Sequence, residues 1–229
     1  MASSVRDGLK RRAAERALEL VRDGMTVGIG TGTTARFFIE GLGRLASDGV
    51  RVRGVATSVR SAALARSAGL DVLDDVEGAL DLAVDGADEI DPAMNLIKGR
   101  GGALTREKLV ASSSARFVVI ADSSKLVPRL GAGVLPVEIV PFMWRRTAAR
   151  VEALGLSVRV RAVRGAPYVT DNGNWILDAT CAGGIEDAPA LAAALKSQPG
   201  VVEHGLFLGL VRACIVAGDD GITTLGDLG

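Results

Sequence analysis

Short, nearly unbroken apolar runs recur along the chain, and between them apolar positions return at helical spacing. The opening segment MASSVRDGLKRRAAERALELV predicts an amphipathic helix ending near Val21. GMTVGIGTGTTARFFIEGL then reads as strand, glycine-rich turn and helix. A strand RVRGVAT, a helix SVRSAALARSAG, a short strand LDVLD and a strand LDLAVDGAD follow, and then a helix LTREKLVASS and a strand RFVVIAD. Strands that alternate with helices and are apolar almost throughout predict an α/β fold with a parallel sheet covered on both faces.

The texture changes at VPRLGAGVLP, where Pro and Gly cluster. From Pro136 the pattern predicts strand PVEIVPF, helix RRTAARVEALG, strand LSVRVRAV, strand PYVTD, strand NWILDAT, helix DAPALAAALKS and strand GVVEHGLF. Asn172-Gly173 predicts a tight hairpin from Tyr168 to Asp178. SVRVRAV and PYVTD fit either one bent strand or two. The order is close to βαββαβ, a small ferredoxin-like α+β module. The tail RACIVAGDDGITTL has buried-strand character and is expected to return to the first sheet. The expected division is therefore 1–131 with 208–229, and 132–207.

Lys plus Arg equal Asp plus Glu at 27 each, so no overall charge favours nucleic acid or an anionic membrane. Cys181 and Cys214 lie far apart and match neither a metal knuckle nor a disulfide framework, so both are expected as reduced thiols in or near the core. The charged first segment lacks the apolar run of a secretory signal. No later stretch reaches the about 18 apolar residues of a membrane span. A cytoplasmic protein without membrane or nucleic-acid partners is expected.

Candidate chemistry begins at GIGTGTT. Gly28 and Gly30 fit the start of a dinucleotide fingerprint, but Thr33 stands at the third glycine. ATS at Ala56 to Ser58 replaces the acidic residue expected about 20 positions on. The nucleotide cofactor therefore loses its anchor. What survives is a corner where glycines admit an anion and the hydroxyls of Thr31, Thr33 and Thr34 face it at a helix N-terminus. A plain tight turn, with Thr31 or Thr33 as N-cap, fits the same residues.

The run DLAVDGADEID places Asp85, Asp88, Glu89 and Asp91 within seven residues. Ligands of open parallel sheets bind beyond the carboxyl ends of the strands, where Asp85 arrives and Asp88 can point back. Glu89 and Asp91 are expected in solvent or capping a turn, and a solvated acidic turn accounts for the whole run equally well. NLIKGRGGALTREK adds Lys98, a glycine loop and, in the first turn of the next helix, Glu107. Neighbouring carboxylates raise one another's pKa and an ammonium lowers it, so such a cluster can be tuned for proton transfer. A helix-favouring Glu107 and a structural Lys98–Asp85 bridge are the plainer alternatives.

Together GIGTGTTA, DGADEID, IKGRGGALTREK, IADSSK, LPVEIVPF, TDNGNWILD and PGVVEHGLF occur in order along nearly the whole chain, which resembles ribose-5-phosphate isomerase of the A type. The resemblance implies a Rossmann-like domain with a ferredoxin-like second domain, no cofactor, a homodimer or homotetramer, and a phosphorylated pentose substrate. It places the catalytic base on Glu107 and substrate contacts on Thr31, Gly32, Thr33 and Thr34, on Asp85, Gly86, Ala87 and Asp88, and on Lys98, Gly99, Arg100 and Gly101. Lys125 of IADSSK and Lys10 of the first helix are implied as further contacts. Arg100 departs from the family's K-G-G-G loop. The implied reaction interconverts D-ribose 5-phosphate and D-ribulose 5-phosphate through an enediolate. Glu107 moves the carbon proton, Asp85 opens the ring, Asp88 holds hydroxyls and Lys98 stabilises the enediolate. A non-catalytic sugar-phosphate sensor is the alternative of another class. An amino-sugar phosphate deaminase or a lactonase usually relies on histidine, and His204 is the only one here.

Overall fold

The computed structural model describes residues 2–228. The helices are α1 (Ala2–Leu18), α2 (Thr33–Ser47), α3 (Val59–Ser67), α4 (Leu104–Ser112), α5 (Trp144–Glu152) and α6 (Ala188–Lys196). The strands from the first half are β1 (Thr26–Ile29), β2 (Arg53–Ala56), β3 (Asp71–Leu73), β4 (Leu82–Asp85), β5 (Glu89–Ile90), β6 (Leu96–Ile97) and β7 (Phe117–Asp122). Then come β8 (Leu135–Ile139), β9 (Ser157–Val160), β10 (Ala162–Val163), β11 (Ala166–Pro167), β12 (Trp175–Thr180), β13 (Val201–His204), β14 (Leu206–Phe207), β15 (Ala213–Gly218) and β16 (Gly221–Gly226). The chain forms two units: Met1–Ala87 with Arg106–Lys125 and Leu210–Gly229, and Asp88–Thr105 with Leu126–Gly209.

The first unit is built on a sheet of order β16-β15-β7-β4-β1-β2-β3, parallel except for β16. Every residue of β1, β4 and β7 is buried, as continuous apolar runs covered on both faces require. Ala13, Ala14 and Ala17 of α1 and Phe38 and Leu42 of α2 join Val27, Val84 and Ile120 in one core. The tail returns to this sheet as expected, but breaks after Gly218 into two strands, with β16 folding back on β15. Among the described residues no helix is long and apolar enough to cross a membrane.

Two turns of this unit are tied by Asp23, whose carboxylate accepts hydrogen bonds from Arg51 Nε at 3.1 Å and from the Arg51 backbone N–H at 2.8 Å. The Arg51 side chain and then its backbone N–H hold the Asp23 carboxyl down to about 2, from its ordinary 3.8. A depressed carboxyl contributes stability above its unfolded pKa and loses it as pH falls through the folded one. Asp23→Asn is therefore expected to lower the melting temperature slightly at pH 5 to 7. That difference should fade between about pH 4 and pH 2, measured by thermal melts across the range.

The second unit contains an antiparallel sheet of order β13-β8-β12-β9, with α5 between β8 and β9 and α6 between β12 and β13. This is the expected βαββαβ arrangement. A second small sheet, β14-β6-β5, carries the segment after Asp88: Leu206 pairs with Ile97 and Val127 N–H donates to Ile90 O. Those pairings place residues 88–105 in the second unit, whereas the expected division groups them with 1–131. A two-residue hairpin turn that the pattern does not single out is also present. β10 and β11 pair across Arg164 (φ 53°) and Gly165 (φ 79°), both left-handed as a two-residue turn demands. At Asn172-Gly173 the expected turn forms, with Gly173 N–H donating to Thr170 O at 2.9 Å and Thr170 N–H to Asn174 O at 2.8 Å, but only the glycine has positive φ (78°), and β12 goes on to pair with β8 and β9.

Candidate functional site

β1 and β4 are parallel neighbours in register, Ile29 beside Val84, so the Gly30–Thr34 corner and Asp85 leave the sheet side by side at its carboxyl edge. Asp85 is 3% exposed, and its Oδ1 accepts hydrogen bonds from Thr31 N–H at 3.1 Å and Gly86 N–H at 2.7 Å. Gly30 allows this: a Cβ there would fall 2.1 Å from Asp85 Oδ1. A Cβ on Gly86 would lie 3.8 Å from Thr34 Cβ, which brings the two segments into one corner, with Ala87 following half-buried.

The N-cap of α2 is Gly32 (φ 120°), which offers no side-chain acceptor to the helix. This corrects the expectation of Thr31 or Thr33 as cap. The Thr31 hydroxyl points inward, 2.8 Å from Thr57 Oγ1, 2.8 Å from Ser58 Oγ and 3.1 Å from Ser61 Oγ. Of the three hydroxyls expected to face an anion, Thr31 is thus taken up internally, because the polar end of β2 and the start of α3 supply partners for it. Exposed Thr33 and half-buried Thr34 remain at the helix start.

Glu107 stands in the first turn of α4 and is 4% exposed. Leu80 N–H donates to Ser113 O at 2.9 Å just past the end of α4, so the helix ends near the amino edge of β4 and starts toward the carboxyl edge. Val110 lies one turn after Glu107 on the same face. It packs against β1 so closely that a Cβ on Gly28 would meet its Cγ1 at 2.4 Å. Glu107 is therefore carried toward the edge occupied by Thr31 and Asp85. Lys125 closes a short 3-10 turn after β7, the neighbour of β4, and is half-buried at that edge. Lys10 on α1 is half-buried with its ammonium 3.6 Å from Asp7 Oδ1. Two residues on, Arg12 Nη1 donates to Gly218 O, where β15 ends at the same edge.

In the second unit, Asp88 Oδ2 accepts the Arg100 backbone N–H at 2.9 Å, and the Arg100 Nε lies 3.8 Å from Asp88 Oδ1. Lys98 is 3% exposed, with Nζ 5.6 Å from the centre of the Phe207 ring. Arg161 holds the glycine loop by donating to Gly99 O and Arg100 O, each at 3.0 Å, while its Nε bonds Asp178. Tyr168 Oη donates to Gly101 O at 3.4 Å. Asp91 caps a turn through Ala93 and Asn95, as expected. Glu89 does not face solvent: it is buried and accepts N–H groups of Gly131, Ala132 and Gly133, so it anchors that loop.

Sequence reasoning passed over two further groups. Thr57 and Ser58 read only as a missing acidic anchor, and Ser61 carries no signal in the sequence at all. Glu138 sits fully buried in β8, and its carboxylate gathers four side-chain donors. Its signal was present, a lone carboxylate inside the apolar run LPVEIV.

Residues 53–221 match the family model described as ribose 5-phosphate isomerase A (phosphoriboisomerase A). A curated protein named ribose-5-phosphate isomerase A from Bradyrhizobium diazoefficiens is 50% identical, covering 96% of this chain and 95% of that protein. One of the same name from a Roseiflexus species is 53% identical over 94% of each. The solved ribose 5-phosphate isomerase A of Methanocaldococcus jannaschii superposes with a TM-score of 0.92 at 38% identity, over 96% of this chain and 99% of that one. The ribose 5-phosphate isomerase of Plasmodium falciparum does so with a TM-score of 0.93 at 35% identity and the same coverage. With the fold, the ordered motifs and relatives at half identity in agreement over nearly its whole length, the chain belongs to the ribose 5-phosphate isomerase A family.

Proposed function

We propose that the chain is an aldose-ketose isomerase that interconverts D-ribose 5-phosphate and D-ribulose 5-phosphate through an enediolate. The observation that carries this is the arrival of the glycine-threonine corner, Asp85 and the Glu107 end of α4 at one carboxyl edge of the first unit's sheet. A related solved structure is described as ribose-5-phosphate isomerase in complex with phospho-erythronic acid, a four-carbon acid phosphate.

The reaction opens the furanose, moves a proton between C2 and C1, and shifts a proton between O1 and O2. Glu107 takes the proton from one carbon and returns it to the other. Asp85 serves ring opening and the hydroxyl protons. The phosphate lies at the Gly32–Thr34 helix start with Lys125, and Lys10 as a further cation, where backbone N–H groups and positive charge favour an anion. Asp88 holds substrate hydroxyls and Lys98 stabilises the enediolate oxygen, roles assigned by family resemblance, as are contacts at Gly86, Ala87, Gly99, Arg100 and Gly101. The carbonyl of the open sugar already acidifies the adjacent C–H, so these residues suffice without a Schiff base or cofactor. A cytoplasmic homodimer or homotetramer acting on a small phosphorylated pentose completes the proposal. Purified protein incubated with ribose 5-phosphate should generate ketopentose absorbance. Saturable binding of the sugar phosphate without conversion would identify a sensor instead.

A further inference from the structure

The hydroxyls behind Thr31 form a chain whose direction follows from counting protons. Gly30 O can only accept, and Ser61 Oγ lies 2.8 Å from it, so the one hydroxyl proton of Ser61 is committed there. Ser61 must then accept from Ser58 Oγ at 3.0 Å, and Ser58 from Thr31 Oγ1 at 2.8 Å. Thr57, 2.8 Å from Thr31, completes the chain as donor. Thr57, Ser58 and Ser61 are all buried. The chain ends on the carbonyl of the Gly30–Thr31 peptide, and the N–H of that same peptide donates to Asp85 Oδ1. A hydrogen bond to an amide oxygen polarises the amide and strengthens its N–H as a donor.

We propose, resting on the role given to Asp85 above, that Ser61 is a positioning residue for that carboxylate, acting through the Gly30–Thr31 peptide. Held at both poles, the peptide fixes where Asp85 Oδ1 sits, and Asp85 must fit beside the bare Cα of Gly30. Ser61 touches neither substrate nor reacting atoms in this scheme, so its removal acts on turnover rather than on substrate affinity.

The test is a double-mutant cycle in the full-length chain: wild type, Ser61→Ala, Asp85→Asn and the double variant, each assayed for kcat and KM on ribose 5-phosphate and melted to verify folding. Ser61→Ala should lower kcat about 3- to 10-fold, the worth of roughly one hydrogen bond, with KM within about twofold. In the Asp85→Asn background the same change should cost less than about 1.5-fold, because the group it positions is gone. Ser61→Thr, which keeps the hydroxyl, should recover turnover. Equal losses in both backgrounds, an unchanged kcat, or an effect on KM alone overturns the proposal. An Asp85→Asn enzyme with full turnover would instead remove the role of Asp85, and the proposal with it. If Ser61→Ala does not fold, Ser61→Cys, a weak donor of similar size, carries the same comparison.

Discussion

Glu107→Gln is expected to lower turnover on ribose 5-phosphate by about 100- to 10,000-fold, the range lost when a general base is removed. KM should stay within a few-fold. The substitution keeps volume and planarity at a site only 4% exposed, so packing around the first turn of α4 is preserved. What it removes is the capacity to accept a proton from carbon, for which an amide is far too weak a base. Steady-state kinetics together with direct binding of the sugar phosphate separate the two effects. A drop in kcat with binding retained marks an interaction made in the transition state. Turnover within tenfold of wild type would remove Glu107 from the role of base and leave it as a helix-terminal carboxylate favoured by the α4 dipole.

Much of this geometry is legible in the residues themselves, and what is not legible has a physical cause. Unbroken apolar runs such as LAVD and FVVIAD belong to the middle of a covered parallel sheet, and β4 and β7 lie there as neighbours. The glycines of GIGTG mark close approach, but not of what: Gly28 admits Val110 of α4 and Gly30 admits Asp85, pairings that arise only when distant segments meet. Burial of polar residues is the harder part. Glu89 lies in an acidic run that reads as solvated, yet it finds three backbone N–H groups more than forty positions away. Asn172-Gly173 makes the turn its residues signal, but the side chains of Asn172 and Asn174 and the Thr170 hydroxyl also converge on Glu138, which the local sequence does not announce. Local turn chemistry cannot register a partner supplied by another strand.

That partner is the basis of the largest expected change in stability. Glu138 is 0% exposed in β8, and its Oε1 accepts the Thr170 hydroxyl at 2.9 Å, Asn172 Nδ2 at 3.0 Å and Asn174 Nδ2 at 2.9 Å. Its Oε2 accepts the Thr105 hydroxyl at 2.6 Å. Glu138→Ala leaves the buried Thr170 hydroxyl without its acceptor, takes one from half-buried Thr105 and Asn174 and from exposed Asn172, and opens a cavity in β8, which together cost about 3–5 kcal/mol. For a chain of this size that is a fall in melting temperature of about 10 °C, readable by thermal unfolding. Glu138→Gln should cost only about 1–2 kcal/mol. Its carbonyl can stand where Oε1 stood, and its amide can face Thr105, whose hydroxyl is able to rotate and accept. The order Ala far below Gln, and Gln slightly below wild type, is what distinguishes a filled acceptor site from a merely filled volume. Glu138→Ala melting within about 2 °C of wild type would show that the four donors find water or one another. Because Thr105 lies two residues before Glu107 in α4, a destabilised Glu138 variant that still folds should also lose turnover at temperatures well below its melt.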